Sequence, residues 1–296
     1  MLPYYLKMTV QLFDKKGAPG EQGTVEVYWA GVGREKRVYA FPSYSAIEVR
    51  ANGKLFRTPD VGYPPALAQL LVERVLDPMP TTVEIDQSQP QIKTIKFGNV
   101  PLECIMLAQP IQGIKMAPMG LFPTYCFDPG KDILRVGFNY GTQFVTRNSM
   151  ATFQQRSMAE SIAVSEGTVP AAKGQVVTTR QRTISDADMA TDGLREIGYD
   201  APVKISSGVT QGLALSQPAP TYPEDAKEGH IQGVVVLHAI IGRDGHILSL
   251  RVVSGAVPSL AVAAIAAVRQ WNYRPYLLNG VPVEVETTIN VNFTFN

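Results

Sequence analysis

Charge is scarce in this 296-residue chain, and neither sign dominates: 27 Lys and Arg stand against 26 Asp and Glu, and charged residues make up only 18%. A balance this close to neutral supplies no long-range field for nucleic acid and argues against a phosphate-neutralising groove. Hydrophobic residues at 45% exclude an intrinsically disordered chain. Cysteine is nearly absent. Cys104 and Cys126 belong to no C-x-x-C pair, which removes zinc and thioredoxin-type readings. His230, His238 and His246 all lie far downstream, so a Cys–His nucleophile would have to join distant segments. No apolar run approaches the roughly 18 residues that cross a bilayer. The densest stretch, Gly233 to Ile241, has the length of a core strand. Enzyme signatures are missing as well: there is no G-x-S-x-G, no P-loop, no G-x-G-x-x-G and no H-E-x-x-H. Glu26, Glu35 and Glu48 are carboxylates such as any sheet carries, and His238 and His246 flank one hairpin without a third ligand for a metal. The chain therefore reads as a binding protein, not an enzyme, with no cofactor and no metal.

What is present is mostly strand. At roughly 150 residues per domain the length implies two domains. From Thr24 to Arg57 polar and apolar residues alternate through a meander, and Asn52-Gly53 is a strong hairpin signal because both turn positions need positive φ. Residues 66–76 read as a helix, with Leu67, Leu70, Leu71 and Val75 on one stripe between Pro64-Pro65 and Pro78. Strand-like runs then resume at 92–97, 102–107, 125–127, 133–140, 143–146 and 176–184. Each cysteine sits in one of these runs, so a cross-strand disulfide is geometrically plausible. Whether the thiols pair depends on the compartment, and two buried free thiols is the alternative. Residues 201–218 lack periodicity and read as a linker, with room for one short edge strand. The expected domains are therefore 1–200 and 219–296, the first strand-rich.

From Tyr222 the pattern sharpens. Pro223 to Glu228 forms a helical turn with acids at its start. Residues 233–241 are a strand, Asp244-Gly245 a tight turn, 247–253 an antiparallel return, 258–271 an alanine-rich helix, and Asn279-Gly280 another turn. The helix packs through Leu260, Ala264, Val268 and Trp271. Residues 283–295 alternate almost strictly: Val283, Val285, Ile289, Val291, Phe293 and Phe295 face the helix, and Glu284, Glu286, Thr288, Asn290, Asn292 and Thr294 face water or a partner. The order α-β-β-α-β predicts a three-stranded antiparallel sheet with helices on one face, an α+β and mainly β architecture overall.

Tyr222-Pro223, Gly233-Val-Val-Val, Arg243-Asp-Gly245, Trp271-Asn-Tyr-Arg-Pro275 and Asn279-Gly-Val-Pro282 resemble the TonB C-terminal domain family over residues 219–296. The resemblance implies a periplasmic domain that docks an extended peptide of an outer-membrane transporter or other envelope partner by adding a strand to its sheet edge. It places that contact at Thr288, Asn290, Val291, Asn292 and Phe293, the same strand offering a route to a homodimer. Cys104, Cys126, Gly245, Trp271 and Pro275 read as structural residues. The family's energy transducers begin with a transmembrane helix and a Pro-rich spacer, which these residues lack. Met1 to Tyr5 carries no basic region followed by an apolar one, so the reading expects a leader or membrane anchor outside this sequence. The first domain more loosely resembles the half-barrel of LolA/LolB-type lipoprotein carriers, through Glu26 to Ala30, Arg37 to Tyr39 and Ile47 to Gly53. That likeness implies an alternative function, carriage of a lipid or other apolar ligand, with the TonB-like part as a docking module.

Overall fold

A computed structural model describes residues 1–109, 117–138, 141–199, 202–255 and 257–295. In chain order its elements are β1 (Tyr4–Phe13), β2 (Pro19–Gly31), β3 (Arg34–Ala40), β4 (Ser45–Ala51), β5 (Lys54–Arg57), α1 (Ala66–Leu76) and α2 (Thr82–Asp86). Next come β6 (Gln89–Phe97), β7 (Val100–Ala108), β8 (Thr124–Phe127), β9 (Leu134–Phe138), β10 (Gln143–Phe153), β11 (Arg156–Glu166), β12 (Val169–Gln181) and β13 (Arg195–Tyr199). The remainder is β14 (Val203–Lys204), α3 (Ser207–Gly212), β15 (Ala214–Ser216), α4 (Glu224–Glu228), β16 (Gly233–Ile241), β17 (Ile247–Ser254) and α5 (Pro258–Val268). It ends with β18 (Asn272–Tyr273), β19 (Leu277–Leu278), β20 (Val281–Pro282) and β21 (Val285–Phe293). The protein is mainly β with a few short helices. No helix among the described residues is long and apolar enough to cross a membrane. They divide into two compact units, one of residues 1–78 and 144–200, the other of residues 79–143 and 201–296.

The first unit is a sheet in the order β13-β5-β4-β3-β2-β1-β12-β11-β10. Tyr4, Leu6, Met8 and Val10 alternate inward along β1, beside Val25 and Val27 of β2, and α1 covers them with Ala68, Leu71, Val72 and Val75. Close seating of that helix depends on Gly174 of β12. A Cβ there would meet Met8 Sδ at 2.7 Å and Ile162 Cγ2 at 3.0 Å, with Leu71 just beyond. Toward β3–β5 the same sheet turns charged. Glu48 and Arg57 face each other across β4 and β5 and form a buried ion pair, and Arg57 also donates to Gly62 O at 3.1 Å. Both charges leave water at a cost of several kcal/mol each, offset by this geometry. The three carboxylates of the first meander go to separate partners: Glu26 to Lys7, Glu35 to Arg37 and Glu48 to Arg57. The helix at 66–76 falls where the sequence places it. The sheet also includes Tyr4–Phe13 and Arg156–Glu166, which the sequence reading leaves unassigned.

In the second unit β6–β9 form an antiparallel array in the order β9-β8-β7-β6. Cys104 of β7 lies directly opposite Cys126 of β8, and the two form a disulfide. The other sheet has the order β14-β21-β16-β17. Sequence reading gives this sheet three strands, and it has four. The extra strand, β14, pairs parallel to β21 through Val203↔Val285 and Lys204↔Glu286. A two-residue strand has no period to detect, so only its hydrogen bonds reveal it. Helix α5 buries Leu260, Ala261, Ala264, Ile265 and Val268 against Val235, Leu237 and Ala239 of β16 and Val285, Ile289, Val291 and Phe293 of β21. Met106, Ala108, Ala117, Leu121 and Phe122 belong to the same buried cluster.

Closing a disulfide loop with a sequence separation of 22 stabilises the fold by roughly 3 kcal/mol through restriction of the unfolded chain. Thiol titration of the denatured protein should find no free thiol before reduction and two after. Reduction should lower the unfolding free energy by about that amount. Two thiols before reduction would overturn the pairing.

Candidate functional site

Strand β21 presents two chemically different edges. Along its whole length one edge pairs with β16, from Phe293↔Gly233 through Ile289↔Leu237 to Val285↔Ile241. On the other edge β14 takes only the first turn of the ladder: Val203 N–H donates to Glu284 O at 2.8 Å and Ile205 N–H to Glu286 O at 3.0 Å. Main-chain groups of successive strand residues point to alternate sides. Since Glu284 and Glu286 point to the β14 side, so do Thr288, Asn290 and Asn292. Their side chains are exposed, while those of Thr287, Ile289, Val291 and Phe293 are buried. Of the positions expected to bind a partner, Thr288, Asn290 and Asn292 thus combine outward main-chain groups with solvated side chains. Val291 and Phe293 are core residues beneath the same edge.

The outer face beside this edge is mixed. Val234, Val236, His238 and Ile240 of β16 stand opposite Asn292, Asn290, Thr288 and Glu286. His238 Nε2 donates diagonally to Glu286 Oε1 at 2.8 Å, with Lys204 3.9 Å from the same oxygen. The hydrogen bond from His238, reinforced by Lys204, holds the Glu286 carboxyl below its ordinary range. At the far end of β21 the ring of Tyr222 stacks on Phe295 at 4.8 Å and meets Phe293 edge-on at 5.5 Å, while its hydroxyl donates to Ile231 O at 2.6 Å. Among the described residues no group of three or more His, Cys, Asp or Glu side chains is placed to hold a metal ion.

The other positions singled out in the sequence lie away from the edge. Trp271 is buried at the end of α5, and its Nε1 donates to Pro218 O at 2.9 Å. Pro275 is exposed in the loop after β18. Gly245 has φ +85°, and a Cβ there would lie 1.8 Å from Tyr273 O, because Tyr273 N–H reaches back to Gly245 O at 3.0 Å. His238 and His246 do not share a partner: His246 Nδ1 lies 3.2 Å from Asp244 Oδ2 in the β16–β17 turn. Sequence reasoning missed Thr287 and, although it left room for one short edge strand in residues 201–218, did not locate β14. Thr287 sits in a hydrophobic phase of the alternation yet is buried because Thr210 Oγ1 of α3 donates to its hydroxyl at 2.8 Å.

Residues 218–295 match the family described as Gram-negative bacterial TonB protein, C-terminal. Among curated proteins the chain is 29% identical to the protein TonB of Vibrio cholerae serotype O1, a match that covers 31% of this chain and 41% of that protein. The chain thus spans less than half the length of that relative. Solved structures similar to it include a LolA superfamily protein from Nitrosomonas europaea, at 10% identity and TM-score 0.43, covering 64% of this chain and 90% of that one. Another is a putative outer membrane lipoprotein-sorting protein domain from Vibrio parahaemolyticus, at 11% identity and TM-score 0.39, covering 64% and 90%.

The Asp244–His246 contact gives a pH signature for the turn. Burial pushes the Asp244 carboxyl up, but the hydrogen bonds from His246 outweigh it, and the net shift is downward. The hydrogen bond to Asp244 raises the His246 imidazole against a smaller opposing effect of burial. A raised His stabilises the fold below its ordinary value and loses that contribution as pH rises through the folded value. A lowered Asp stabilises above its ordinary value and loses it as pH falls through the folded value. The pair therefore contributes most between about pH 4 and 6.5, the ordinary Asp and His values. An NMR titration should place His246 above about 6.5, and Asp244→Asn should return it toward that value. An unmoved His246 in the variant would refute the contact.

Proposed function

We propose that the C-terminal part of this chain works in the periplasm as a docking module, not as a catalyst. It binds an extended segment of an outer-membrane transporter or another envelope protein by strand addition to β21. One observation carries the reading: main-chain groups at Thr288, Asn290 and Asn292 face outward beyond the end of β14. Natural sheets usually blunt such an edge with Lys, Pro or a bulge. Residues 287–295 contain no Lys or Pro, and the β16–β21 register runs without a shift. In strand addition main-chain hydrogen bonds supply affinity and alternate side chains supply preference. The match of residues 218–295 to the TonB C-terminal family supports the same reading. A second copy of the chain would use the same edge.

Asn292→Pro tests the edge directly. Asn292 directs its main chain outward, so the substitution leaves the β16 ladder intact while deleting one donor and obstructing an incoming strand. Its circular dichroism and melting should stay close to wild type. Affinity for a synthetic transporter-derived peptide should fall at least tenfold, about 1.4 kcal/mol. Unchanged affinity in a folded variant would move the peptide elsewhere.

A second reading, carriage of a lipid or other apolar ligand by the first unit, requires α1 to give way, since Leu6, Met8, Val25 and Val27 are fully buried beneath it. Native mass spectrometry of the purified protein separates the two. A co-purifying lipid that extraction removes favours the carrier, and a bare chain mass counts against it.

A further inference from the structure

The open edge of β21 is already half used, by the chain itself. Segment 203–206 lies in the place where a docked strand would lie, on the same side of β21 and with the same kind of bonds: Val203 N–H to Glu284 O and Ile205 N–H to Glu286 O. Its side chains follow the alternation required of a strand there. Val203 and Ile205 pack against the hydrophobic cluster under the sheet, while Lys204 turns to solvent beside Glu286. The segment is then fastened. Ser206 caps α3, Thr210 of that helix bonds Thr287, and Leu213 O accepts from Arg274 N–H at 2.8 Å, so the main chain leaves the edge at Ser206. What remains for another strand is Thr288 to Phe293.

We propose that residues 203–206 are an internal competitor for the docking edge. While β14 is seated, a partner strand pairs only with the Thr288–Phe293 half, about six residues or roughly 20 Å at the usual rise per residue. A longer partner gains the Glu284–Thr287 half only by displacing β14. The tethered strand also describes the partner it imitates: an extended segment with apolar residues at alternate positions facing inward, and a cation or neutral polar residue between them where Glu286 waits. An acidic residue at that place would face Glu286, whose carboxyl is held ionised, and would be disfavoured. Tethering makes β14 an effective competitor despite its two hydrogen bonds, since a short connection holds it near the edge at millimolar effective concentration.

This inference rests on the strand-addition reading, and the experiment keeps their failures apart. Ile205→Pro deletes the Ile205 donor and cannot rebuild the bond to Glu286 O. The affinity of one ten-residue synthetic peptide from the periplasmic segment of an outer-membrane transporter is measured for wild type and variant by calorimetry. The competitor predicts binding to both, at least tenfold tighter in Ile205→Pro. Binding to both with equal or weaker affinity in a folded variant overturns the competitor and leaves docking standing. Binding to neither sinks docking, and the competitor with it. Should Ile205→Pro fail to fold, amide exchange on the wild type decides. Saturating peptide should speed exchange at Val203 and Ile205, and unchanged or slower exchange there overturns the proposal.

Discussion

Burial of the odd-numbered side chains of β21 beneath α5 is the constraint from which the rest of the C-terminal sheet follows. Ile289, Val291 and Phe293 enter the core with Leu260, Ala264 and Val268. A strand alternates its side chains between faces and its main-chain groups between edges with one shared period of two. Fixing the odd residues inward and against β16 therefore leaves Thr288, Asn290 and Asn292 no choice. Their side chains go to water and their N–H and C=O groups to the open edge. A slip of one residue would bury three polar side chains and expose the apolar ones, so the register is held by the core rather than by the edge.

How much of this is legible in the amino-acid sequence depends on the length over which a period can be counted. The β21 alternation and the α1 stripe run over nine and eleven residues, and both fall where the sequence puts them. Gly245 and the α5 packing residues are equally readable, because turn chemistry and an alanine-rich face leave local marks. Strand β14 is only two residues long and leaves none. Its pairing is a tertiary event that depends on where β21 ends up. Thr287 escapes for a related reason, since a threonine among valines reads as a polar interruption until Thr210 is seen across from it. Strand β1 is a different case: Tyr4, Leu6, Met8 and Val10 alternate in plain view, ahead of the meander read from Thr24 to Arg57.

The two units solve the problem of sheet faces differently. The first mixes an aliphatic half under α1 with ion pairs toward β5, of which Glu48–Arg57 is buried. Such a pair gives little net stability but penalises any register that separates it. Among its described residues the second unit buries one charged side chain, Arg243, and it relies on close helix–sheet packing plus one covalent bond between neighbouring strands.

The separation of labour on β21 has a consequence for how this surface changes over generations. Groups that would pair a partner are main chain and survive nearly any substitution, while the side chains at Thr288, Asn290 and Asn292 touch no core residue's packing. Preference can therefore drift at these three positions almost free of any toll on folding, and a partner's sequence can be followed by single substitutions. Ile289, Val291 and Phe293, one residue away in each case, have no such freedom. Neighbouring codons on one strand thus evolve under opposite pressures.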